Sequence, residues 1–405
     1  MLRPTRAALA AGLLLLAGLV PARAQISDDV VRIGVLNDQS GLYADLAGPG
    51  SVIAAKMAAE DAGGSVLGKP VEIVVADHQN KADIGAAIAR QWFDVGKVDM
   101  VIDFDNSSVA LAVEQLAKEH DRIAIATAVG TTDFTGKACS PTAISWTYDS
   151  YALTNSLARA VTQKGLDSWF FITVDYAFGH SLEADTTRAV LAAGGRVLGS
   201  VKHPLNTADF SSYLLQAKAS GAKVVALANG GGDMINATKQ AKEFGLPQGG
   251  QTLVSLLVFI TDVHSLGLQA AQGLTFVTAF YWDRTPETRA FARRFFERHK
   301  AMPTMAQASV YSAIRHYLRA IAAAGTDEAG PVMAKMRDLP VDDFYASNGR
   351  IRLDGRLLHD MYLVRVKPPS ASKMPWDYYE VLDTIPADQA FQSLEAGGCP
   401  LVGRP

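Results

Sequence analysis

The sequence predicts an α/β protein of two lobes, each a doubly wound and mostly parallel sheet with flanking helices. Short apolar runs rich in β-branched residues alternate with stretches whose apolar residues recur at helical spacing, which is typical of parallel βα units. Polar or glycine-rich loops follow the strand-like runs. The 405 residues also exceed what one hydrophobic core usually organises, so two lobes are expected.

The first βα unit indicates where function is to be sought. Residues 30–36 form an apolar run that predicts a buried strand, and residues 37–50 form a loop that contains Tyr43. Residues 51–62 predict an alanine-rich helix that ends at Gly63-Gly64. Because ligands of open α/β sheets bind beyond the carboxyl ends of the strands, the loop is a candidate site.

The same alternation continues along most of the chain. Further strands are predicted at 71–76, 98–104, 123–126, 169–174, 197–203, 223–228, 252–260 and 274–280. Helices are predicted at 82–95, 109–119, 150–164, 181–193, 210–219, 234–244, 286–300 and 304–324. The last part alternates more, and the runs 348–353, 361–367 and 378–383 predict antiparallel strands at the edge of the second lobe.

This order predicts that the chain crosses three times between lobes built from non-contiguous segments. We expect lobe 1 to contain residues 25–146 and 280–346, and lobe 2 to contain residues 147–279 and 347–385. Residues 386–405 are expected to form a C-terminal tail over the surface. A cleft between two such lobes would bury a ligand when it closes.

The N-terminus is typical of a cleaved signal peptide covering residues 1–24. Arg3 and Arg6 precede an apolar run, and Ala22-Arg23-Ala24 fits a cleavage site. A non-cleaved anchor is the alternative interpretation. Removing the segment takes away three arginines and no acid, which lowers the net charge from −3 to −6. An exported, acidic protein is predicted, and nucleic acid or an anionic membrane surface is disfavoured as a partner.

The two cysteines, Cys139 and Cys399, are the only ones in the chain. In an exported protein such a pair favours a disulfide, which here would tie the tail to the middle of the chain. Two free buried thiols are the alternative.

Several motifs, taken in order, resemble periplasmic solute-binding proteins of the branched-chain amino acid (Leu/Ile/Val) type. They are V-R-I-G-V-L at 31–36, L-G-K-P-V-E-I-V-V-A-D at 67–77, V-D-Y-A-F-G-H-S-L at 174–182 and A-K-E-F-G-L at 241–246. The resemblance spans nearly all of the chain after the signal peptide. It implies a type I two-lobed fold with three hinge crossings and a periplasmic location. It also implies that the protein is a monomer, which delivers a small ligand to the membrane subunits of an ABC transporter.

The resemblance also implies a set of ligand-binding residues. The family's first-loop aromatic matches Tyr43, its serine after the third strand matches Ser107 or Ser108, and its lobe-two tyrosine matches Tyr176. The loop whose amides hold the ligand carboxylate matches Ala128-Val129-Gly130. The family's next aromatic falls at Asn229-Gly230, where this chain has no ring.

The residues themselves offer a similar chemistry. Ser107 and Ser108 stand at a predicted helix start, where backbone N–H groups attract an anion, although Ser108 as a simple N-cap is the alternative. Small residues at 127–132 would allow a ligand to approach the backbone. An ordinary turn is the alternative interpretation of this segment. Rings that could sandwich a planar ligand, or only pack the core, are Tyr43, Tyr151, Tyr176, Phe178, Phe259, Phe280 and Tyr281.

One departure from the family bears on the ligand. Its amino acid binders carry an acid after the strand that matches residues 252–260, whereas this chain has none before Asp262. An unpaired ammonium group in a closed cleft is costly, so a ligand without an α-amino group is expected. The segments 135–141 and 146–153 resemble the subgroup that takes aromatic acids. Branched-chain amino acids, small amides or a role as a periplasmic ligand sensor are the alternatives.

Catalysis is not indicated by any motif. The sequence has no G-x-S-x-G, no H-E-x-x-H and no cluster of cysteines and histidines, and its glycine-rich loop at 229–232 lacks the G-K-[ST] ending of a phosphate loop. We therefore expect no enzyme activity, no cofactor and no metal.

Overall fold

The computed structural model describes residues 25–246 and 248–403, so the predicted signal peptide lies outside the described residues. The strands are β1 (Val31–Asn37), β2 (Ser65–Val66), β3 (Lys69–Asp77), β4 (Met100–Asp103), β5 (Ile123–Ala126), β6 (Ala143–Ser145), β7 (Ser168–Val174), β8 (Arg196–His203), β9 (Val224–Ala228), β10 (Thr252–Ser255), β11 (Thr275–Thr278), β12 (Arg350–Ile351), β13 (Leu357–Leu358), β14 (Met361–Val366) and β15 (Tyr379–Ile385).

The helices alternate with the strands over most of the chain. They are α1 (Gly48–Asp61), α2 (Ala82–Asp94), α3 (Ser107–Glu119), α4 (Ser150–Gln163), α5 (Ala177–Ala192), α6 (Ser211–Ala219), α7 (Gly231–Glu243), α8 (Ile260–Leu266), α9 (Leu268–Ala271), α10 (Pro286–His299), α11 (Met305–Ala324), α12 (Ala329–Asp338) and α13 (Ala387–Ala390). None of the described helices is both long enough and apolar enough to cross a membrane.

The sheet of lobe 1 has the strand order β2-β3-β1-β4-β5-β6, and all of its pairs are parallel except β2 with β3. Strand β1 shows why helices cover both faces, since successive side chains of a strand point to opposite sides. Ile33 and Val35 enter one buried cluster, with α1 and α11, and Leu36 enters another, with α2 and α3. The predicted doubly wound arrangement is confirmed here.

Lobe 2 combines two sheets. The first has the order β10-β9-β7-β8 and is parallel throughout, and the second has the order β11-β14-β15 and is antiparallel. Strand β7 is buried along its whole length. The antiparallel strands predicted from the last part of the sequence are therefore found at β14 and β15.

The structure corrects two predicted elements and adds others, including strand β6. The strand predicted at 252–260 ends at Ser255, because the carboxylate of Asp262 accepts the N–H of Phe259 (2.8 Å) and starts helix α8. The strand predicted at 348–353 forms only β12, which pairs with β13 in a separate hairpin, where Gly355 turns the chain at φ +84°. Strand β6 was not predicted, because three residues are too short to show a period.

The chain passes between the lobes three times, first after β6, again after β11 and finally between α12 and β14. The first and third passages are joined by Arg356, whose buried guanidinium donates to the carbonyls of Ser145 (3.2 Å) and Tyr148 (3.1 Å). It also lies 3.2 Å from the carboxylate of Asp149. His359 Nε2 lies 2.7 Å from the carbonyl oxygen of Thr147. These contacts tie two of the passages into one hinge.

The predicted disulfide is confirmed, because Cys139 and Cys399 are bonded with their Cα atoms 5.6 Å apart. The tail is not only a surface segment. Its helix α13 contacts α4 in lobe 2, and the ring of Phe391 lies under the guanidinium of Arg356 at 4.8 Å. Arg352 donates to the carbonyl of Gln392 (2.7 Å), which fixes the tail to the segment near the hinge.

Candidate functional site

The candidate site lies between the lobes, where the loops after β1, β4 and β5 meet the loop after β7. These loops carry Tyr43, Ser107, Ala128 and Tyr176 in that order. They enclose about 10 Å³, which is room for roughly one water molecule. The lining residues are Tyr43, Leu46, Asp105, Ser107, Ala128, Gly130, Tyr148, Tyr176, Phe178 and Leu257.

The lobes are in direct contact across this space, so the structure shows the closed form. The hydroxyl groups of Tyr43 in lobe 1 and Tyr176 in lobe 2 are 2.8 Å apart. Beside them, Ser181 of α5 accepts the N–H of Thr132 (3.2 Å) and lies 3.3 Å from the Thr131 hydroxyl. Since so little space is left, a ligand larger than water requires these contacts to separate.

The structure brings five of the twelve predicted ligand-binding residues together on this space, namely Tyr43, Ser107, Ala128, Gly130 and Tyr176, and the candidate ring Phe178 lines it as well. The other seven do not line it, and they are Ser108, Val129, Tyr151, Asn229, Gly230, Phe259 and Tyr281. Asn229 Nδ2 lies 3.0 Å from the ring of His203. Phe259 and Tyr281 line a separate small space with Trp282.

Polar groups that can hold an anion face the space from lobe 1. Ser107 Oγ accepts the N–H of Thr131 (3.3 Å), so its own O–H proton remains free to donate. Within the described residues, the backbone N–H groups of Val129 and Gly130 have no acceptor in hydrogen-bonding distance. Gly130 lines the space, whereas Val129 does not, and its side chain packs in the lobe 1 core. The free amide of Gly130 and the hydroxyl of Ser107 suit a carboxylate.

The start of helix α3 differs from the expectation. The side chain of Asn106 caps this helix by accepting the N–H groups of Ser108 (3.0 Å) and Val109 (3.3 Å). Ser108 is therefore not the N-cap, and its N–H is not free for a ligand. Of the two serines, Ser107 is the one that lines the space.

Gly130 is required by the close packing of the site. A Cβ atom added to it would lie 2.5 Å from the ring of Phe178, which real Cβ atoms essentially never do. The ring of Phe178 is 6.0 Å from that of Tyr176, so the lobe-two aromatics form one wall. Tyr148, which was not predicted as a site residue, adds a ring from the first passage between the lobes.

One carboxylate that is not among the predicted site residues also lines the space. Both oxygens of Asp105 lie 3.1 Å from the backbone N of Asp38, and Oδ1 lies 2.8 Å from Nε2 of the buried His78. The N–H of Asn80 donates to His78 Nδ1, which places the ring proton on Nε2, facing Asp105. Burial raises the pKa of Asp105, while the hydrogen bond from His78 opposes that shift.

Asp262, by contrast, does not line the space. Its carboxylate is used at the start of α8, and burial raises its pKa to about 7. No acid of residues 252–262 therefore lines the space. Among the described residues, no group of three or more histidines, cysteines and acids could hold a metal ion.

A closed space between two hinged α/β lobes defines a ligand-binding protein rather than a structural domain. The chain belongs to the periplasmic binding protein family, because the family model described as "Periplasmic binding protein" matches residues 30–373. Proteins of this kind are substrate-binding components of ABC-type transporters and not enzymes. The predicted family and type I fold are confirmed.

Two solved structures are similar over almost the whole chain. A periplasmic binding protein from Burkholderia mallei is 48% identical with a TM-score of 0.91, and the match covers 93% of this chain and 100% of that one. A branched chain amino acid ABC transporter periplasmic ligand-binding protein from Burkholderia xenovorans is 43% identical with a TM-score of 0.81, covering 92% and 99%.

More distant proteins share the sequence family or the fold. The "Leu/Ile/Val-binding protein homolog 6" of Brucella melitensis is 27% identical over 285 residues, which is 69% of this chain and 72% of that protein. A solute-binding protein from R. palustris, solved in complex with benzoate, has a TM-score of 0.79 at 20% identity, covering 92% and 99%. The latter likeness shows the fold alone.

Proposed function

We propose that the protein captures a small aromatic carboxylate between its lobes and presents the closed form to the membrane subunits of an ABC transporter. One observation carries this proposal. Gly130, whose N–H has no acceptor among the described residues, and Ser107, whose O–H is free to donate, line the same space with four aromatic rings. Donors of this kind bind a carboxylate without a charged partner.

The aromatic walls favour a flat ligand body. Tyr43 comes from lobe 1, Tyr148 from the first passage between the lobes, and Tyr176 and Phe178 from lobe 2. Offset stacking of a ring against such walls contributes about 1 kcal/mol for each ring beyond the area that is buried. Among ligand bodies of similar size, a flat ring also requires the smallest increase in the distance between Tyr43 and Tyr176. The benzoate-bound protein of the same fold is compatible with such a ligand.

The proposed mechanism is differential binding to two states. A ligand that contacts the lobe 1 amides and the lobe 2 rings at the same time gains its full contacts only when the lobes are closed. It therefore shifts the population toward the closed form, whose surface the transporter would read. The predicted signal peptide would deliver the chain to the periplasm, where this capture takes place.

A branched-chain amino acid is the second candidate ligand, and Asp105 is the observation that favours it. A buried carboxylate in the lining provides an acceptor for an ammonium group. The Asp105→Asn substitution separates the two candidates, because it removes the charge and keeps the shape. It should weaken leucine binding at least tenfold if the ammonium group is bound there, and it should leave benzoate binding unchanged or tighter.

The proposal is tested by following the thermal unfolding of residues 25–405 with benzoate, benzamide, benzylamine and leucine. A ligand at about 1,000 times its Kd adds about 4 kcal/mol to the free energy of unfolding. We expect stabilisation by benzoate and little by the neutral or cationic analogues. Stabilisation by leucine without any by benzoate would contradict the aromatic carboxylate.

Ser107 and its neighbour Ser108 provide a matched pair of variants for the same titration. The Ser107→Ala substitution should weaken benzoate binding about tenfold, because one donor to the carboxylate is lost. The Ser108→Ala substitution should leave binding unchanged, since that side chain does not line the space. Equal effects of the two substitutions would place the ligand elsewhere.

A further inference from the structure

A cavity of about 640 Å³ lies within lobe 2, and it shares no lining residue with the space between the lobes. It opens between β10, the edge strand of the parallel sheet, and β11, the edge strand of the antiparallel sheet. Its volume is within the range of about 300–1,000 Å³ that is typical of small-molecule sites. The apolar part of its wall is formed mainly by Leu157, Val161, Leu166, Val254, Phe276 and Leu363.

The charged residues of the cavity all have one sign. Lys164, Lys242 and Arg365 line it, and no aspartate or glutamate does. Arg365 is paired with Glu380 at 2.7 Å, whereas neither lysine forms an ion pair within the described residues. Both lysines are exposed, so they stand at the rim of the cavity. In a chain with a net charge of −3, this cationic rim selects an anionic group.

A polar group without a partner lies at the buried end. Ser255, the last residue of β10, is 2% exposed, and its Oγ has no hydrogen-bond partner. A buried hydroxyl without a partner is costly, and most such groups in native proteins are satisfied by protein, water or ligand. Since Ser255 lines the cavity, an occupant can supply the missing hydrogen bond.

The distance between the two edge strands disfavours an inserted peptide strand. Neighbouring strands lie about 4.8 Å apart, so a strand paired with both edges would need about 9.6 Å between them. Residues of β10 and β11 approach to within 8 Å between Cα atoms. The cavity therefore fits a small molecule better than an added strand.

We propose that this cavity is a second ligand site, which binds an organic anion with an extended apolar body. The body lies against the apolar wall, the anionic head lies at Lys164 and Lys242, and Ser255 offers a hydrogen bond at the inner end. This ligand differs in class from the small carboxylate proposed between the lobes, because a space of 640 Å³ exceeds what one ring fills.

The test uses two fluorescent naphthalene probes of similar shape and different charge, 8-anilinonaphthalene-1-sulfonate and the neutral N-phenyl-1-naphthylamine. Residues 25–405 are titrated with each probe, in the presence of 1 mM benzoate and 1 mM leucine. We expect one sulfonate probe to bind per chain, at least tenfold more tightly than the neutral probe, and dodecanoate to displace it.

Variants locate the probe. The double substitution Lys164→Glu and Lys242→Glu should weaken sulfonate binding at least tenfold, and Ala160→Trp, which fills the half-buried cavity wall on α4, should abolish it. Lys56→Glu, an exposed lysine on α1 in lobe 1, is the control and should have no effect. Circular dichroism checks that each variant is folded. Equal binding of both probes, or binding unchanged in the folded double and Ala160→Trp variants, would overturn the proposal.

Discussion

At the scale of single residues, Gly130 controls how closely the two walls of the site approach. Its missing Cβ leaves room for the ring of Phe178, which an added Cβ would meet at 2.5 Å. We expect the Gly130→Ala substitution to displace the ring, to lower the free energy of unfolding by about 1–3 kcal/mol and to weaken ligand binding about tenfold. Urea unfolding and the benzoate titration measure the two effects.

The matched control is Gly330→Ala on the exposed part of α12. A Cβ there would meet nothing within 4 Å. Gly330 lies in the first turn of α12 and precedes Pro331, which restricts the residue before it, so helix propensity gives little gain and this substitution should change the free energy of unfolding by less than about 1 kcal/mol. If both substitutions left ligand binding unchanged, Gly130 would not have the role assigned to it.

A second residue-scale prediction concerns Glu114 in α3, which is 2% exposed. Burial raises its pKa to about 9 from an ordinary value of 4.5, so the folded protein holds a proton that the unfolded chain releases. Its contribution to stability is complete below pH 4.5 and is lost as the pH rises toward 9. The Glu114→Gln substitution should remove up to about 1.4 kcal/mol per pH unit from that decline.

The measurement is urea unfolding of both proteins at pH 5, 6, 7 and 8. Identical pH profiles would show that Glu114 is ionised in the folded state. Asp99, whose pKa burial raises to about 7, titrates within the same range in both proteins, so only the difference between the profiles is informative.

At the residue level, the sequence could predict which residues lie together where a loop position alone decides their placement. Tyr43, Ser107 and Gly130 follow strands whose carboxyl ends meet, so their convergence could be predicted. Asp105 could not be recognised as a site residue, because its environment depends on His78, which is 27 positions earlier and belongs to another loop. The available signal was a pair of acids, Asp103 and Asp105, two residues apart at the end of the buried strand β4.

At the scale of elements, the hinge depends on the buried pair Arg356 and Asp149. Removing one partner leaves the other charge buried, which typically costs about 3–5 kcal/mol. We expect Arg356→Met to destabilise the protein by this amount, and the double variant with Asp149→Asn to recover part of it. A double-mutant cycle by urea unfolding should give a coupling energy of about 1–3 kcal/mol.

Asp149→Asn is a suitable partner in this cycle because it can keep the cap of α4, where the side chain accepts the N–H of Ala152 (2.8 Å). Additive effects of the two substitutions would show that the pair does not join the first and third passages. The carbonyl contacts of Arg356 with Ser145 and Tyr148 would then be its main role.

Element prediction was most accurate for long segments with a clear period. Helices such as α2 and α11 show their apolar spacing in the sequence. The apolar run after β10 has no such spacing, so the sequence fits either a continued strand or an extended segment before a helix. The correct boundary depends on the Asp262 side chain, which starts α8. Three-residue β6 is defined only by its pairing with β5.

At the scale of the whole molecule, the disulfide fastens a tail that reaches both lobes and the hinge. It joins positions separated by 260 residues, so its removal frees a long loop in the unfolded chain. We expect the Cys139→Ser and Cys399→Ser double variant to lose about 2–5 kcal/mol of unfolding free energy. The Kd of the ligand should change as well, because α13 contacts α4 and the ring of Phe391 contacts Arg356 at the hinge.

Chemical unfolding with and without a reductant checks the same point on the unmodified chain. A gain of two hydrogen masses only after reduction confirms the bond in solution. An unchanged unfolding free energy and affinity after reduction would show that the tail does not restrain the lobes.

The two-lobed architecture could be predicted from the length and the alternation of elements, but the closed arrangement could not. It depends on contacts such as that between Tyr43 and Tyr176, which are 133 positions apart and belong to different lobes. No local pattern encodes a contact of that separation, since each tyrosine alone is equally compatible with a solvated loop.

The central claim, that a ligand closes the two lobes, is tested most directly by the distance between spin labels on Lys81 and Ala208. Both positions are exposed, and Lys81 and the neighbouring Asn206 line one crevice between the lobes. The native cysteines are bonded and do not take label. We predict a broad, long distribution in the free protein that becomes one short distance with saturating benzoate. The same distribution with and without a bound ligand would contradict the account.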